Sequence, residues 1–211
     1  MMAGILKLVL AYLIGSVSGS LLLGRVRHVD IRTMGSGNAG GTNAFRTQGL
    51  AFALGVVLID VGKAVLATAV VPGLAPAAEV GLASGEALQL ACAAAVVLGH
   101  CYPLYHGFRG GKGAATTVGC LLVIAPWLLP PMLLTWLLVL GLSGYVGLAT
   151  VVAGISLVPA AWLLFGWSPV LAFTVAIALF MTFTHRGNLS RMRKGTESRF
   201  NRLRLAQWLR R

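Results

Sequence analysis

The run of residues 113–185 begins GAATTVGCLLVIAPW, ends VAIALFMTFTH and contains no Asp, Glu, Lys or Arg in 73 residues. A membrane-spanning helix needs about 20 apolar residues, so the run is far too long for two spans and has room for three or four. Breaks at Pro130-Pro131, at Ser143-Gly144 and at residues 166–169 divide it into four. The run therefore predicts an all-α integral membrane protein.

The rest of the chain has the composition that this prediction requires. Of its 211 residues, 57% are hydrophobic and 10% are charged, whereas soluble domains have about 25% charged residues. Apolar stretches at residues 8–24, 48–71 and 87–105 bring the predicted number of spans to seven. A cleaved signal peptide is the alternative for the first stretch, but its removal would leave a chain that is still mostly apolar. Residues 1–211 are predicted to form a single polytopic membrane domain that ends in a basic tail, residues 199–211.

The positions of the basic residues predict the orientation. The 17 Lys and Arg outnumber the five Asp and Glu, for a formal charge of +12. Fifteen of these bases follow the first predicted span, follow the third, or lie in the C-terminal segment from Arg186 to Arg211. Short loops rich in Lys and Arg remain in the cytoplasm, and the three basic segments share one side only if four spans follow the third. We therefore expect seven helices, with the N-terminus outside and the C-terminus cytoplasmic. The charge reflects topology and not nucleic-acid binding.

The segment MGSGNAGGTN, residues 34–43, has the spacing G-x-G-x-x-G with Asp60 twenty residues further on, as in a dinucleotide-binding fingerprint. That fingerprint needs a preceding β-strand, whereas a predicted membrane span precedes it here. We interpret residues 32–46 as a loop whose backbone N–H groups converge on an anion. A flexible turn between spans is the alternative. The candidate donors are Arg32, Ser36, Gly37, Asn38, Thr42, Asn43 and Arg46.

A second glycine-rich segment covers residues 99–117, GHCYPLYHGFRGGKGAATT. It fails the nucleotide P-loop pattern, because His106 stands at the first glycine position and Gly113 at the Ser/Thr position. Nucleotide hydrolysis is therefore disfavoured. A phosphate cradle at the start of a helix is still predicted. Its candidate residues are Gly110, Gly111, Lys112, Gly113 and Thr116.

The third polar segment, HRGNLSRMRKGTE, covers residues 185–197. His185 ends the last predicted span, and Asn188 and Arg191 follow at three-residue steps, so one helical face can present all three. Glu197 is predicted to tie loops together through ion pairs and not to act as a base.

Two charges lie inside the second predicted span. Asp60 and Lys63 are spaced i, i+3 and are predicted to pair, either for function or only for structure. Cys92, Cys101 and Cys120 are predicted to be packing residues, because they have no disulfide or metal-site spacing. No metal site is predicted. No histidine begins H-x-x-x-x-D, which disfavours acyltransferases that use that pair.

Four motifs, in this order along the chain, resemble those of the bacterial acyl-phosphate-dependent glycerol-3-phosphate acyltransferases, a family of small integral membrane proteins. They are GSGNxGxTNxxR from Gly35, D-x-x-K from Asp60, GHxxPxxxxFxGGKGxAT from Gly99 and HxxNxxRxxxGxE from His185. Gly41 departs from the pattern, since the family usually has alanine there. The resemblance implies acyl transfer from acyl phosphate to the 1-hydroxyl of sn-glycerol 3-phosphate. The products are lysophosphatidic acid and phosphate, in the first acylation step of phospholipid synthesis.

The resemblance also implies roles for individual residues. In family terms Ser36 and Arg46 are essential, the loop from Gly110 to Gly113 binds glycerol phosphate, and His185 and Asn188 assist catalysis. A structural role near the site is expected for Asp60, Lys63, His100, Arg191 and Glu197. No cofactor is expected. The expected partners are the two substrates, membrane lipid and a soluble acyltransferase that forms the acyl phosphate.

The expected site lies on the cytoplasmic face of the bacterial inner membrane. Transfer is expected to be direct, without an acylated serine, and either His185 or a substrate phosphate oxygen takes the proton. The alternatives from other classes are a carrier for phosphorylated anions and a lipid-binding scaffold.

Overall fold

The computed structural model describes residues 2–74 and 85–200, and in these ranges the regular structure is entirely helical. Apart from Arg199 and Phe200, the predicted basic tail lies outside the described residues. The α-helices are α1 (Met2–Gly15), α2 (Gly19–Val26), α3 (Gly41–Gln48), α4 (Leu50–Ala69), α5 (Glu86–Cys101), α6 (Ala114–Ile124), α7 (Leu129–Ser143), α8 (Val146–Phe165), α9 (Pro169–Thr184) and α10 (Arg186–Arg193).

The helices form two compact units, one ending at Ile124 and the other beginning at Ala125. In the first unit, α4 is the central helix and packs against α1, α2, α3, α5 and α6, while α1 also packs along α5. Glycines permit close approach between these helices. A Cβ atom on Gly15 would strike the carbonyl oxygen of Val96, and one on Gly99 would strike that of Tyr12. The prediction of a single domain stays a prediction.

The first apolar stretch is broken rather than continuous. Helices α1 and α2 are bent by 46° relative to each other, and the break falls between Gly15 and Gly19. Both glycines allow close packing, each on a different helix. Gly15 lies against α5, and Gly19 lies against Val56 of α4.

In the second unit, α8 packs against α7 and α9, and α10 contacts α8 and α9. Two predicted breaks are confirmed: α7 ends at Ser143, before Gly144 with φ +75°, and α8 ends before Gly166 with φ +59°. The predicted break at Pro130-Pro131 is wrong. The chain breaks at Ala125, and the two prolines lie in the first turn of α7, where the missing N–H groups cost no helical hydrogen bond.

Four described helical segments are long and apolar enough to cross a membrane, and six if each bent pair counts as one span. The bent pairs are α1 with α2 and α9 with α10. Helix α6, the remaining candidate, has only 11 residues, about half the length that a span needs. Large apolar side chains such as Leu137, Leu142 and Leu163 are exposed along α7 and α8, as expected of helix faces that contact lipid.

Candidate active site

The first glycine-rich loop is anchored on α4 by apolar side chains. Ile31, in a 3-10 turn, and Ala44, in α3, are fully buried in a cluster with Phe52 and Val56 of α4. The loop between these anchors is shorter than predicted. It ends at Gly40, because α3 begins at Gly41 and includes Arg46 in its last turn.

The side chain of Asn43 holds this loop together. Its Oδ1 accepts a hydrogen bond from the backbone N–H of Ser36 at 2.9 Å, and its Nδ2 donates to the carbonyls of Ile31 at 2.9 Å and Met34 at 3.1 Å. Asn43 is 1% exposed. Both hydrogens of the Asn43 amide therefore make hydrogen bonds inside the loop. The predicted donation from Asn43 to phosphate would require breaking at least one of these bonds.

The glycines around Ser36 have backbone conformations that other residues avoid. Gly35 has φ +57° and Gly37 has φ +71°, which is the left-handed region. A Cβ on Gly35 would collide with Oδ1 of Asn43. Ser36 itself is exposed and Asn38 is half-buried. The local sequence thus presents Ser36 at the outside of a turn folded over the Asn43 amide.

Arg32 connects the two glycine-rich loops. Its guanidinium donates to both carboxylate oxygens of Asp30, with the shortest distance at 2.7 Å, and its Nη1 donates to the carbonyl of His106 at 3.1 Å. The hydrogen bonds from Arg32 lower the pKa of the Asp30 carboxyl below its usual value. One side of the Arg32 guanidinium is therefore committed to Asp30 and not to an anion.

The second glycine-rich loop rests on the C-terminal end of α5. The N–H of Gly110 donates to the carbonyl of Cys101 at 3.2 Å, and that of Gly111 donates to the carbonyl of His100 at 3.1 Å. Two of the amides predicted to face an anion are therefore used to attach the loop to the helix. Gly113 has φ +91° and is followed at once by α6.

The start of α6 has the helix N-terminus that the sequence predicts. Lys112 is half-buried just before it, and Thr116 and Thr117 are fully buried in its first turn. Within the described part of the chain, the hydroxyls of both threonines have no hydrogen-bond partner. Buried hydroxyls usually have one. This end of the second loop thus combines a basic side chain, first-turn N–H groups and two unsatisfied hydroxyls.

The pair predicted between Asp60 and Lys63 is present, with Nζ and Oδ1 3.0 Å apart. Both residues are buried in α4, and Lys63 Nζ also lies 2.9 Å from Nδ1 of His100 in α5. His100 is the third member of this group. Local sequence spacing does not reveal its contact with Lys63, because the two residues are 37 positions apart. Among the described residues, no cluster of His, Cys, Asp or Glu could hold a metal ion.

In the second unit, His185 stands between α9 and α10 and is buried. Its Nδ1 lies 2.8 Å from the carbonyl oxygen of Met181. A carbonyl only accepts, so Nδ1 carries the hydrogen in the neutral ring and Nε2 is the basic nitrogen. The Met181 carbonyl, four residues earlier in the helix, thus selects the tautomer that a base needs.

Glu197 holds the other polar side chains of this segment. Its carboxylate accepts from Nδ2 of Asn188 at 2.6 Å and from Nε of Arg191 at 2.7 Å. Asn188 also packs against Gly147 of α8, where a Cβ would come within 2.7 Å of the Asn188 side chain. The contact with Gly147 was not predictable from sequence spacing. It places Asn188 directly on α8.

The fold and these sites define an all-helical membrane protein with two glycine-rich loops in one unit and a histidine–asparagine segment in the other. A family model for glycerol-3-phosphate acyltransferase matches residues 5–195. The chain is 40% identical over 204 residues to a glycerol-3-phosphate acyltransferase of Desulforudis audaxviator, covering 95% of this chain and 97% of the other. It is 37% identical over 206 residues to that of Thiobacillus denitrificans, covering 95% and 99%.

Solved structures agree with these relatives. Two crystal structures of PlsY (YgiH), an integral membrane glycerol 3-phosphate acyltransferase, match at 30% identity. The glycerol 3-phosphate form has a TM-score of 0.84 and covers 95% of this chain and 96% of the other. The lysophosphatidic acid form has a TM-score of 0.81, with 94% and 95% covered. The chain therefore belongs to the glycerol-3-phosphate acyltransferase family, integral membrane acyltransferases of phospholipid synthesis.

Proposed function

We propose that this protein transfers an acyl group from acyl phosphate to the 1-hydroxyl of sn-glycerol 3-phosphate. The hydroxyl oxygen bonds to the acyl carbon, the bond from that carbon to the phosphate oxygen breaks, and lysophosphatidic acid and inorganic phosphate are released. The observation that supports this most directly is the presence of two separate glycine-rich loops with basic residues, one for each phosphate-bearing substrate. Relatives crystallised in glycerol 3-phosphate and lysophosphatidic acid forms support the acceptor and the product.

The first loop is assigned to the acyl phosphate. Ser36, Gly37, Asn38 and Arg46 bind its phosphate and the oxygen that becomes negative during transfer, an effect of about 3–4 kcal/mol per well-placed donor. Asn43 supports these residues by holding the Ser36 backbone in place. Because acyl phosphate is already activated, the acyl group passes directly to the acceptor, and Ser36 is not acylated. An acyl group trapped on Ser36 and identified by mass spectrometry would contradict direct transfer.

The second loop is assigned to glycerol phosphate. Lys112 supplies charge, and Gly113 and Thr116 lie at the N-terminus of α6, where first-turn N–H groups favour an anion. Gly110 and Gly111 contribute through their close packing on α5, because their own N–H groups donate to that helix. The loop is thus held as a rigid cradle before substrate enters.

His185 takes the proton from the attacking hydroxyl in this scheme, through the Nε2 that the Met181 contact leaves basic. General bases contribute about 10²–10⁴-fold to rate. A phosphate oxygen of the substrate is the rival acceptor. Asn188 orients the acceptor, and Glu197, itself held by Arg191, accepts from Asn188 and holds it. A His185→Ala variant whose kcat stays within about threefold of wild type would exclude the base role.

The topology belongs to the same proposal. We propose seven spans, counting the short α6, with the N-terminus outside and the glycine-rich loops on the cytoplasmic side of the bacterial inner membrane. There the soluble enzyme that makes acyl phosphate delivers the donor. The positive loops support this orientation. Reporter fusions before residue 1 and after residue 211 test it, and an N-terminal reporter active in the cytoplasm would overturn it.

The reaction is tested with purified protein in detergent, acyl phosphate and labelled glycerol 3-phosphate. Lysophosphatidic acid and phosphate should form in equal amounts, and Ser36→Ala should abolish the product. Acyl-CoA and acyl carrier protein thioesters are the matched control donors and should give none. No product from acyl phosphate, together with uptake of glycerol 3-phosphate into vesicles, would instead indicate a carrier.

A further inference from the structure

Three buried polar side chains in the first unit have no part in the proposed chemistry. Asp60 and Lys63 lie in the apolar helix α4 at 1% and 7% exposure, and His100 lies near the end of α5 at 2%. Burying charges in a membrane helix is costly, so such residues are kept for a function or a specific contact. Their contacts reach two features of the fold.

The first feature is the break between α1 and α2. The backbone N–H of Gly19 donates to Oδ1 of Asp60 at 3.1 Å, and Nζ of Lys63 donates to the carbonyl of Val17 at 2.6 Å. Helix ends leave backbone groups without helical partners. The charged pair therefore satisfies one backbone group within the break, the carbonyl of Val17, and one at the first residue of α2, the N–H of Gly19.

The second feature is the GGKG loop, residues 110–113. The Nδ1 edge of the His100 ring faces the charged pair, 2.9 Å from Nζ of Lys63 and 3.4 Å from Oδ1 of Asp60. The ring edge with Nε2 faces Gly111, and a Cβ on Gly111 would collide with Nε2. The ring of His100 is therefore the surface on which Gly111 rests.

Gly110 provides a matched comparison, because its close neighbours are of another kind. A Cβ there would collide with the backbone carbonyl oxygen of His100 and with Cδ of Pro103, and would come within 3.0 Å of the carbonyl oxygen of Cys101. Removal of the His100 side chain makes room beside Gly111 but leaves these backbone atoms beside Gly110 in place.

We propose that Asp60, Lys63 and His100 are positioning residues for the glycerol phosphate loop. Lys63, held by Asp60 and by the break in the first span, fixes the His100 ring, and the ring sets the position of Gly111 and hence of Lys112. The inference rests on the proposed role of the GGKG loop. In this proposal Gly111 lacks a side chain because it packs against the His100 ring, and not only because substrate must approach the loop.

A double-mutant cycle tests this with purified His100→Ala, Gly111→Ala and the double variant. The measurements are kcat, the KM of each substrate, and the melting temperature in detergent. Each single variant should raise the KM for glycerol 3-phosphate by about tenfold or more and leave that for acyl phosphate within about twofold. In the double variant the combined effect should fall short of the product of the single effects by about tenfold, because the new methyl group occupies space vacated by the ring.

The same cycle with Gly110→Ala in place of Gly111→Ala is the control, and its effects should multiply. Multiplying effects in the Gly111 cycle would overturn the proposal, as would a His100→Ala enzyme with a lower melting temperature and unchanged KM values. If His100→Ala does not fold, His100→Asn replaces it, since its Oδ1 can still accept from Lys63 while the ring is gone. A wild-type enzyme that does not acylate glycerol 3-phosphate would refute the proposed function. The melting-temperature cycle would still report separately on the contact between His100 and Gly111.

Discussion

The two glycine-rich loops of the first unit look alike in sequence and are built in opposite ways. The loop at residues 34–40 folds around one buried side chain, the amide of Asn43, which makes hydrogen bonds to the backbone of Ile31, Met34 and Ser36. The GGKG loop is instead attached by its backbone, because the N–H groups of Gly110 and Gly111 donate to carbonyls at the end of α5. Glycine therefore has different functions in the two loops.

In the first loop, glycine provides unusual backbone angles, because Gly35 and Gly37 are left-handed. In the second, Gly110 and Gly111 allow the loop to pack closely on α5, since a Cβ on Gly110 would collide with the His100 backbone and one on Gly111 with the His100 ring. One loop should consequently be sensitive to loss of a side chain, and the other to addition of a methyl group. Four tests, ordered by expected effect, follow from this difference and from the polar contacts around it.

The largest effect is expected from Asn43→Ala. The change removes the partner of the Ser36 N–H and of the carbonyls of Ile31 and Met34. The Ile31 bond is buried, and leaving a buried polar group unsatisfied costs about 1–3 kcal/mol. We expect kcat/KM for acyl phosphate to fall by about 100-fold or more, measured on folded, purified enzyme. Gln48→Ala, which removes another amide from α3, is the control and should stay near wild type. A near-normal Asn43→Ala enzyme would show that the amide does not hold the loop.

A smaller effect is expected from alanine at the two left-handed glycines. Gly37→Ala should cost only the left-handed backbone, about 1–2 kcal/mol, because its nearest contact, the carbonyl of Arg32, is 3.3 Å from the new Cβ. Gly35→Ala adds a collision with Asn43 and should reduce activity by about tenfold more than Gly37→Ala. Initial rates at limiting acyl phosphate measure the difference. Equal losses at both positions would argue against the Asn43-centred loop.

The third test concerns the second unit, where the carboxylate of Glu197 holds the side chains of Asn188 and Arg191, much as the Asn43 amide holds the first loop. Glu197→Gln keeps an acceptor but turns one donor toward Asn188 or Arg191, which are donors themselves. Hydrogen bonds to charged groups contribute about 1.5–3 kcal/mol, so a loss of roughly tenfold in kcat is expected. Glu86→Gln, on the exposed first residue of α5, is the matched control. Wild-type kcat in Glu197→Gln would mean that the carboxylate does not position Asn188.

The smallest effect is expected from Asp30→Asn, which removes the charge paired with Arg32. The two side chains are 40% and 26% exposed, so solvent screening leaves the pair weak and activity should change by less than about threefold. The pKa of Asp30 is lowered in the folded protein. Its contribution to stability is therefore complete above about pH 4 and is lost as the pH falls through the lowered pKa.

Melting temperatures of wild type and Asp30→Asn measure this pH dependence. The difference between the two proteins should be constant from about pH 5 to pH 8 and should shrink only below about pH 4. A difference that changed near neutral pH would point to another titrating group.

Sequence patterns predicted the features that depend on neighbouring residues. The breaks at Ser143-Gly144 and before Pro169 follow from a left-handed glycine and a serine cap, both local. Asp60 and Lys63 pair because they lie one turn apart on the same helix. Pro130-Pro131 misled the prediction because proline is equally compatible with a break and with the first turn of a helix.

Other features depend on contacts between distant segments, which spacing alone does not reveal. Asn43 looked like an exposed donor among polar residues, yet apolar contacts of Ile31 and Ala44 with α4 bury the base of the loop beside it. His100 joins Asp60 and Lys63 only because α5 packs on α4. The roles assigned to Ser36, Arg46, Lys112 and His185 remain predictions from sequence and local geometry.

Two-substrate kinetics of the wild type and of Gly110→Ala test most directly whether separate loops bind separate phosphates. With acyl phosphate as donor, wild type should make lysophosphatidic acid. Gly110→Ala should raise the KM for glycerol 3-phosphate by about tenfold or more and leave the KM for acyl phosphate within about twofold. Equal increases in both KM values, or no reaction of the wild type with acyl phosphate, would contradict the assignment of one loop to each substrate.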